Sequence, residues 1–210
     1  MGPLDALIFD LDGTLWDTTA TCVDAWNRIL QRHAIPFDPI TLEDMRRVTG
    51  RPHRECVETV FDGLSAAHIE LLDRETARDD VIAVRQRGGE LYPGVAAALP
   101  RLRERFPLMI VSNCQAGYIE SFLEFSGLGD SFVDHECWGN TGRSKSDNLA
   151  SVIARNSVRS TAFVGDTTGD ERAARDGGAA FIHVSYGFGR AQAPDATIDR
   201  FDQLLPLLER

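Results

Sequence analysis

The chain has 210 residues, 43% of them hydrophobic, with 22 Lys+Arg against 32 Asp+Glu and a formal net charge of -10. This length fits one domain carrying a modest insertion, and the apolar share supports a packed core rather than a disordered chain. The acidic balance excludes nonspecific nucleic-acid binding and docking on an anionic membrane, which both need a basic footprint, and no apolar run is long enough to span a bilayer.

Ala6-Leu7-Ile8-Phe9 is a short apolar run that ends abruptly in Asp10. From about Trp16 to Gly88 no strand run follows. Val23, Trp26, Ile29 and Leu30 recur there at helical spacing, and Thr41 with Asp44 three residues on reads as a helix start. Ser65 caps a long helix that closes at Gly88-Gly89. Tyr92-Pro93-Gly94 marks a return, and Pro100 is expected to kink or break the helix after it. Three more apolar runs follow, at Leu108–Val111, Ala162–Val164 and Ala180–Val184. Helical patterns separate them: Tyr118, Ile119, Phe122 and Leu123, closed by Gly127, and Leu149, Val152 and Ile153 after Lys145. Continuous rather than alternating runs suit strands buried on both faces of a parallel sheet. The expected fold is therefore α/β, a Rossmann-like doubly wound parallel sheet formed by residues 1–15 and 89–210, with an inserted α-helical cap domain at 16–88. Such an insertion projects from the carboxyl edge of the sheet, where open α/β sheets bind ligands.

Four segments place polar groups just past a strand: Asp10-Leu11-Asp12-Gly13-Thr14, Ser112-Asn113, Lys145, and Gly165-Asp166-Thr167-Thr168-Gly169-Asp170. In a parallel sheet these ends share one edge, so distant segments converge. Asp10, Asp166 and Asp170 would repel one another unless a cation neutralised them. Hard carboxylate oxygens without His or Cys suit Mg²⁺ better than Zn²⁺, and Mg²⁺ commonly shares its coordination with a substrate phosphate. Ser112 and Asn113 offer donors to such a phosphate. Lys145, the single Lys against 21 Arg, offers a compact charge. A carboxylate such as Asp10 can attack phosphorus to form an aspartyl-phosphate, and Asp12 can protonate the leaving alcohol and then activate water.

Asp10-x-Asp12-Gly13-Thr14, Ser112-Asn113, Lys145 and Gly165-Asp166-x-x-x-Asp170 resemble, in order and spacing, the four motifs of the haloacid dehalogenase-like hydrolase superfamily. The helical insert resembles the cap of its phosphoglycolate phosphatase-like and beta-phosphoglucomutase-like members. The resemblance implies a Mg²⁺-dependent phosphatase acting on a small-molecule phosphate ester, a phosphoglycolate-like or sugar phosphate monoester. It implies Asp10 as nucleophile and metal ligand, and Asp12 as acid/base with its carbonyl on the metal. Thr14 would set the turn beside the substrate, Ser112 and Asn113 would bind the phosphoryl group, and Lys145 would bridge nucleophile and phosphate. Asp166 and Asp170 would complete the metal set. In the cap, Val48-Thr49-Gly50-Arg51-Pro52 resembles a loop that reaches the substrate, with Arg51 as its contact and His53 and Arg54 as weaker candidates.

The runner-up is a sugar phosphomutase of the beta-phosphoglucomutase type, which shares these core residues. A 2-haloacid dehalogenase is disfavoured by Asp12 and the Asp166/Asp170 pair, and a non-catalytic binding protein by the completeness of the set. The four widely spaced cysteines (Cys22, Cys56, Cys114, Cys137) and an N-terminus without a signal-peptide pattern lead us to expect free thiols and a cytoplasmic protein, monomer or homodimer.

Overall fold

The computed structural model describes residues 2–209. Strand β1 (Ala6–Phe9) leads through the two-residue β2 (Trp16–Asp17) into four successive helices, α1 (Thr19–Arg32), α2 (Leu42–Val48), α3 (His53–Val60) and α4 (Ala66–Arg87), and out through β3 (Glu90–Leu91). The chain then runs α5 (Val95–Arg103), β4 (Leu108–Ser112), α6 (Tyr118–Ser126), β5 (Asp134–Cys137), α7 (Trp138–Thr141) and α8 (Lys145–Arg155). It closes with β6 (Thr161–Gly165), α9 (Thr168–Asp176), β7 (Ala180–Val184), β8 (Ala196–Ile198) and α10 (Leu204–Leu208).

Six strands form one sheet in the order β5-β4-β1-β6-β7-β8, with every pairing parallel. In register, Phe9 lies between Ile110 and Val164. Every residue of β1, β4 and β6 is buried. Successive side chains of a strand point to opposite faces, and the two faces are covered separately. Ala6, Ile8, Met109 and Phe163 pack with Leu149 and Val152 of α8 and Ala174 of α9. Leu7, Phe9, Ile110 and Val164 belong to the larger core, which includes Leu99, Phe122 and Phe201. This two-sided cover explains why the runs are continuous rather than alternating.

The α1–α4 block stands between the outgoing β2 and the returning β3, which pair antiparallel with Trp16 opposite Leu91. Its caps follow the sequence. Thr41 and Asp44 close a reciprocal capping box on α2, and Ser65 accepts the His68 N–H at the start of α4, which ends at Gly88 with φ at +63°.

Three expectations need correction. A strand does begin the supposed strand-free stretch, since Trp16 pairs across to Leu91; two residues are too few to leave a pattern. The edge strands β5 and β8 were not anticipated. Asp134 and Glu136 in β5 are held by Arg155, so this strand reads as polar. Pro100 does not end α5, which continues to Arg103 with Leu99 and Leu102 buried on either side of it. No helix among the described residues is long and apolar enough to cross a membrane.

Candidate active site

The carboxyl edge of the sheet brings the separated motifs together. Asp10 follows β1 directly and its N–H donates to Val164 O of β6 at 2.9 Å. The chain then turns tightly, with Thr14 and Leu15 N–H both reaching Leu11 O. Gly13 sits at φ +87°, and a Cβ there would lie 2.6 Å from Asp166 Oδ2, so both the conformation and the close approach require glycine.

Lys145 is the first residue of α8, whose start Ser144 caps. Its ammonium lies 2.7 Å from Asp10 Oδ1 and 2.7 Å from Asp170 Oδ1, with all three side chains buried. Burial opposes the charge, but the two carboxylates outweigh it and hold Lys145 well above its ordinary range. They also offset the unfavourable helix dipole at this position. Asp170 divides its labour. Its Oδ2 accepts Thr167 N–H at 2.9 Å, Thr167 Oγ1–H at 2.7 Å and Asp166 N–H at 3.2 Å, building the capping box of α9, while Oδ1 turns to Lys145.

Asp10, Asp166 and Asp170 each bring one carboxylate oxygen within 4.8 Å of the others. Asp10 Oδ2 and Asp166 Oδ1 are buried with no hydrogen-bond partner. Burial pushes both carboxyls up, and neighbouring carboxylates push further, against Lys145. Three carboxylates around one ammonium leave two negative charges in excess, and two buried oxygens are left open. This donor set fits a hard divalent cation.

Asp12 lies two residues on and lines the cleft between sheet edge and helical block. Its Oδ1 accepts from Thr18 Oγ1 at 2.9 Å and from the Tyr118 hydroxyl at 3.1 Å, and these two hydroxyls are 2.8 Å apart. Burial pushes the Asp12 carboxyl up to about 6 against these donors. In the sequence Tyr118 stands only as an apolar position on a helix face. Nothing in the spacing marks its hydroxyl, because the partner is 106 residues away.

Ser112 and Asn113 line the same cleft, and Asn113 Nδ2 donates to Gly50 O at 2.9 Å, tying the sheet edge to the helical block. Arg51 also lines it, with its guanidinium turned to Thr59 Oγ1 at 3.5 Å. Thr14 is completely buried and stands behind the loop rather than on the cleft wall; its carbonyl accepts the Tyr186 hydroxyl at 2.8 Å. Arg54 is engaged elsewhere, by Glu58, Glu70 and Asp73 on the outer surface. The segment Tyr186-Gly187-Phe188-Gly189 was not anticipated. Phe188 and Gly189 N–H donate to Asp166 Oδ2 at 2.7 and 3.2 Å and so aim the other oxygen inward. Its signal in the sequence was the pair of glycines after a strand.

The chain is similar to known proteins. A family model described as haloacid dehalogenase-like hydrolase matches residues 7–184. A phosphoglycolate phosphatase of Synechococcus elongatus is 34% identical over 197 residues, covering 90% of this chain and 88% of the relative. An N-acetylmuramic acid 6-phosphate phosphatase of Pseudomonas putida is 28% identical over 196 residues, covering 88% and 84%. A haloacid dehalogenase-like family hydrolase of Streptococcus pneumoniae shares the fold, with a TM-score of 0.85 at 20% identity and 99% of each chain covered.

Proposed function

The chain belongs to the haloacid dehalogenase-like hydrolase family as a phosphatase, and we propose that it hydrolyses a small phosphorylated metabolite, a phosphoglycolate-like or sugar phosphate monoester, with Mg²⁺ and through an aspartyl-phosphate on Asp10. One observation carries this reading: two buried, unpartnered carboxylate oxygens, on Asp10 and Asp166, stand beside a single buried lysine at the sheet edge.

Asp10, Asp166 and Asp170 would hold the ion, with the Asp12 carbonyl added by the family resemblance. When bound, Mg²⁺ supplies positive charge against the carboxylates and the phosphoryl oxygens. Lys145 fixes Asp10 through Oδ1 and adds a charge for the transferring oxygens. The Asp10 carboxylate attacks phosphorus, forming a P–O bond as the ester P–O bond breaks. Asp12, with a carboxyl pushed up to about 6, gives its proton to the departing alcohol. It then takes a proton from the water that attacks the aspartyl-phosphate, releasing phosphate and restoring Asp10. Thr18 and Tyr118 hold Asp12 Oδ1, which leaves Oδ2 for proton transfer. The helical block covers the cleft and limits bulk water. Four buried free thiols fit a reducing cytoplasm.

The purified protein with Mg²⁺ should release phosphate from members of a metabolite panel. Asp10→Asn should abolish turnover while circular dichroism shows the fold intact. Complete inactivity of folded protein across a broad panel would refute the reading. A burst without turnover, rescued by a sugar bisphosphate, would assign the chain to the mutases instead.

A further inference from the structure

The hydrolysis above uses the floor of the cleft and leaves the chemistry of its cap-side wall unexplained. Opposite Asp12 that wall is made by Trp26 of α1, His53 of α3, Asp80 of α4 and Gln115 of the segment between β4 and α6. Asp80 is a carboxylate in the middle of a long helix, yet it is only 4% exposed. The Trp26 indole N–H is shared between its Oδ1 at 2.9 Å and its Oδ2 at 3.1 Å, and Oδ2 also accepts the Gln115 side-chain amide at 3.2 Å. A buried carboxylate is costly unless it is both hydrogen-bonded and paired, and among the described residues no Lys or Arg pairs with Asp80.

The protons of this wall run in one direction. The Gln115 amide gives its second hydrogen to His53 Nδ1 at 2.9 Å, which fixes the ring as the Nε2–H tautomer. His53 Nε2 then donates to Thr76 Oγ1 at 2.9 Å, and Thr76 donates to Leu72 O at 2.6 Å. Burial lowers His53 and keeps the ring neutral. The ring therefore has no proton to offer the cleft, and the Trp26 and Gln115 hydrogens are already committed. What the wall still offers is acceptors. A carboxylate has about four lone-pair sites, of which the forked Trp26 contact and Gln115 take three here, and among the described residues no donor reaches Gln115 Oε1. Among the described residues the cation nearest this wall is Arg51, turned toward Thr59, while Arg46, Arg47, Arg172 and Arg190 line the adjoining opening on the far side of Gly50 and Asn113.

A wall of acceptors around a buried negative charge fits a ligand that brings hydroxyl donors, and it repels a second carboxylate. We propose that Asp80, oriented by Gln115, is the specificity-determining residue of this enzyme. It selects phosphomonoesters whose leaving alcohol carries further hydroxyl groups, a sugar or polyol phosphate, over esters whose leaving alcohol carries a carboxylate, such as phosphoglycolate. The inference rests on the phosphatase reading.

The test measures kcat/KM with Mg²⁺ at pH 8, where Asp80, pushed up to about 7 by burial, is mostly ionised. The substrates are glucose 6-phosphate, glycerol 3-phosphate and 2-phosphoglycolate, with p-nitrophenyl phosphate as a generic ester. The wild-type protein is expected to prefer the better polyol phosphate over phosphoglycolate by about tenfold or more. Asp80→Asn is expected to shrink that ratio by about tenfold, gaining on phosphoglycolate while losing on the polyol. A wild-type preference for phosphoglycolate overturns the proposal, as does a ratio that Asp80→Asn leaves unchanged. If Asp80→Asn does not fold, the wild-type ratio alone decides. Turnover of p-nitrophenyl phosphate with the wrong preference removes only the Asp80 assignment, whereas no turnover of any ester removes the phosphatase reading itself.

Discussion

The Tyr118 hydroxyl lies 3.1 Å from Asp12 Oδ1 and joins the start of α6 to the loop after β1. Thr18 completes a triangle of three oxygens, so Asp12 is held by two hydroxyls on one side and faces the cleft with the other. The general acid of the proposed reaction is therefore positioned by residues that take no part in the chemistry.

Tyr118→Phe removes one of these donors with little change in shape. A hydrogen bond to a charged group contributes about 1.5–3 kcal/mol, and Thr18 remains to supply part of it, so kcat should fall about tenfold with KM nearly unchanged. The donors favour the ionised carboxyl. Losing one favours the neutral form, and the apparent pKa that Asp12 contributes to the kcat–pH profile should move up from about 6. Steady-state kinetics across pH 5–8, a window bracketing that value, check both shifts. An unchanged profile would mean that Tyr118 only packs.

Lys145→Ala should act on stability as well as on turnover. The ammonium sits between Asp10 and Asp170, and all three side chains are buried. Its removal leaves two buried carboxylates unpaired, a loss of the kind that costs about 3–5 kcal/mol. Urea denaturation with a chelator present should show that drop, and added Mg²⁺ should recover part of it. A loss below about 1 kcal/mol, the range of exposed ion pairs, would contradict the buried pairing.

The site carboxylates also set a pH dependence with a definite sign. Asp10, Asp12 and Asp166 are all pushed above the ordinary carboxylate range, first of all by burial. The folded state then binds more protons than the unfolded one from about pH 4 upward, so stability falls as pH rises through the folded-state pKa values. With a chelator, the melting temperature should be lower at pH 8 than at pH 6. Mg²⁺ should raise it more at pH 8, because the ion binds ionised carboxylates and has to displace protons at pH 6. Equal melting gains at both pH values would argue against a metal held by these residues.

Some of this was legible in the sequence, and the reason lies in which signals are local. Strands buried on both faces leave continuous apolar runs, and caps such as Ser65 and Thr41 act within four residues, so the central strands and the helical block could be read directly. Asp10, Ser112, Lys145 and Asp166 were found because each stands at a strand or helix end, where chemistry is common. Tyr118 was missed because its apolar ring fits a helical pattern and its hydroxyl acts across 106 residues. Asp80 was missed for a similar reason: one acidic residue in a charged helix looks solvated until the fold buries it against Trp26. Strand β5 was hidden by its edge position, where Asp134 and Glu136 meet Arg155 instead of a core.

Gly187→Ala tests whether the loop after β7 shapes the ion site. A Cβ on Gly187 would lie 2.3 Å from Asp166 Cβ and 2.4 Å from Gly13 O. Both neighbours are held by rigid parts of the structure, Asp166 by the end of β6 and Gly13 by its turn, so neither can yield as a flexible side-chain tip would. The methyl group must therefore push the 186–189 loop outward. The loop would then draw the Phe188 and Gly189 N–H groups away from Asp166 Oδ2, where they now donate at 2.7 and 3.2 Å. Asp166 would lose the partners that aim its open oxygen at Asp10. Overpacking of this kind costs about 1–3 kcal/mol of stability, a loss the fold should survive. The larger effect should fall on the ion: the Mg²⁺ concentration for half-maximal activity should rise about tenfold, in line with the loss of an outer-shell support, while kcat at saturating Mg²⁺ falls less. Magnesium titrations of activity, paired with a thermal melt, separate these effects. A melt shifted down with an unchanged magnesium requirement would show that the loop only packs against Asp166 and does not set its aim.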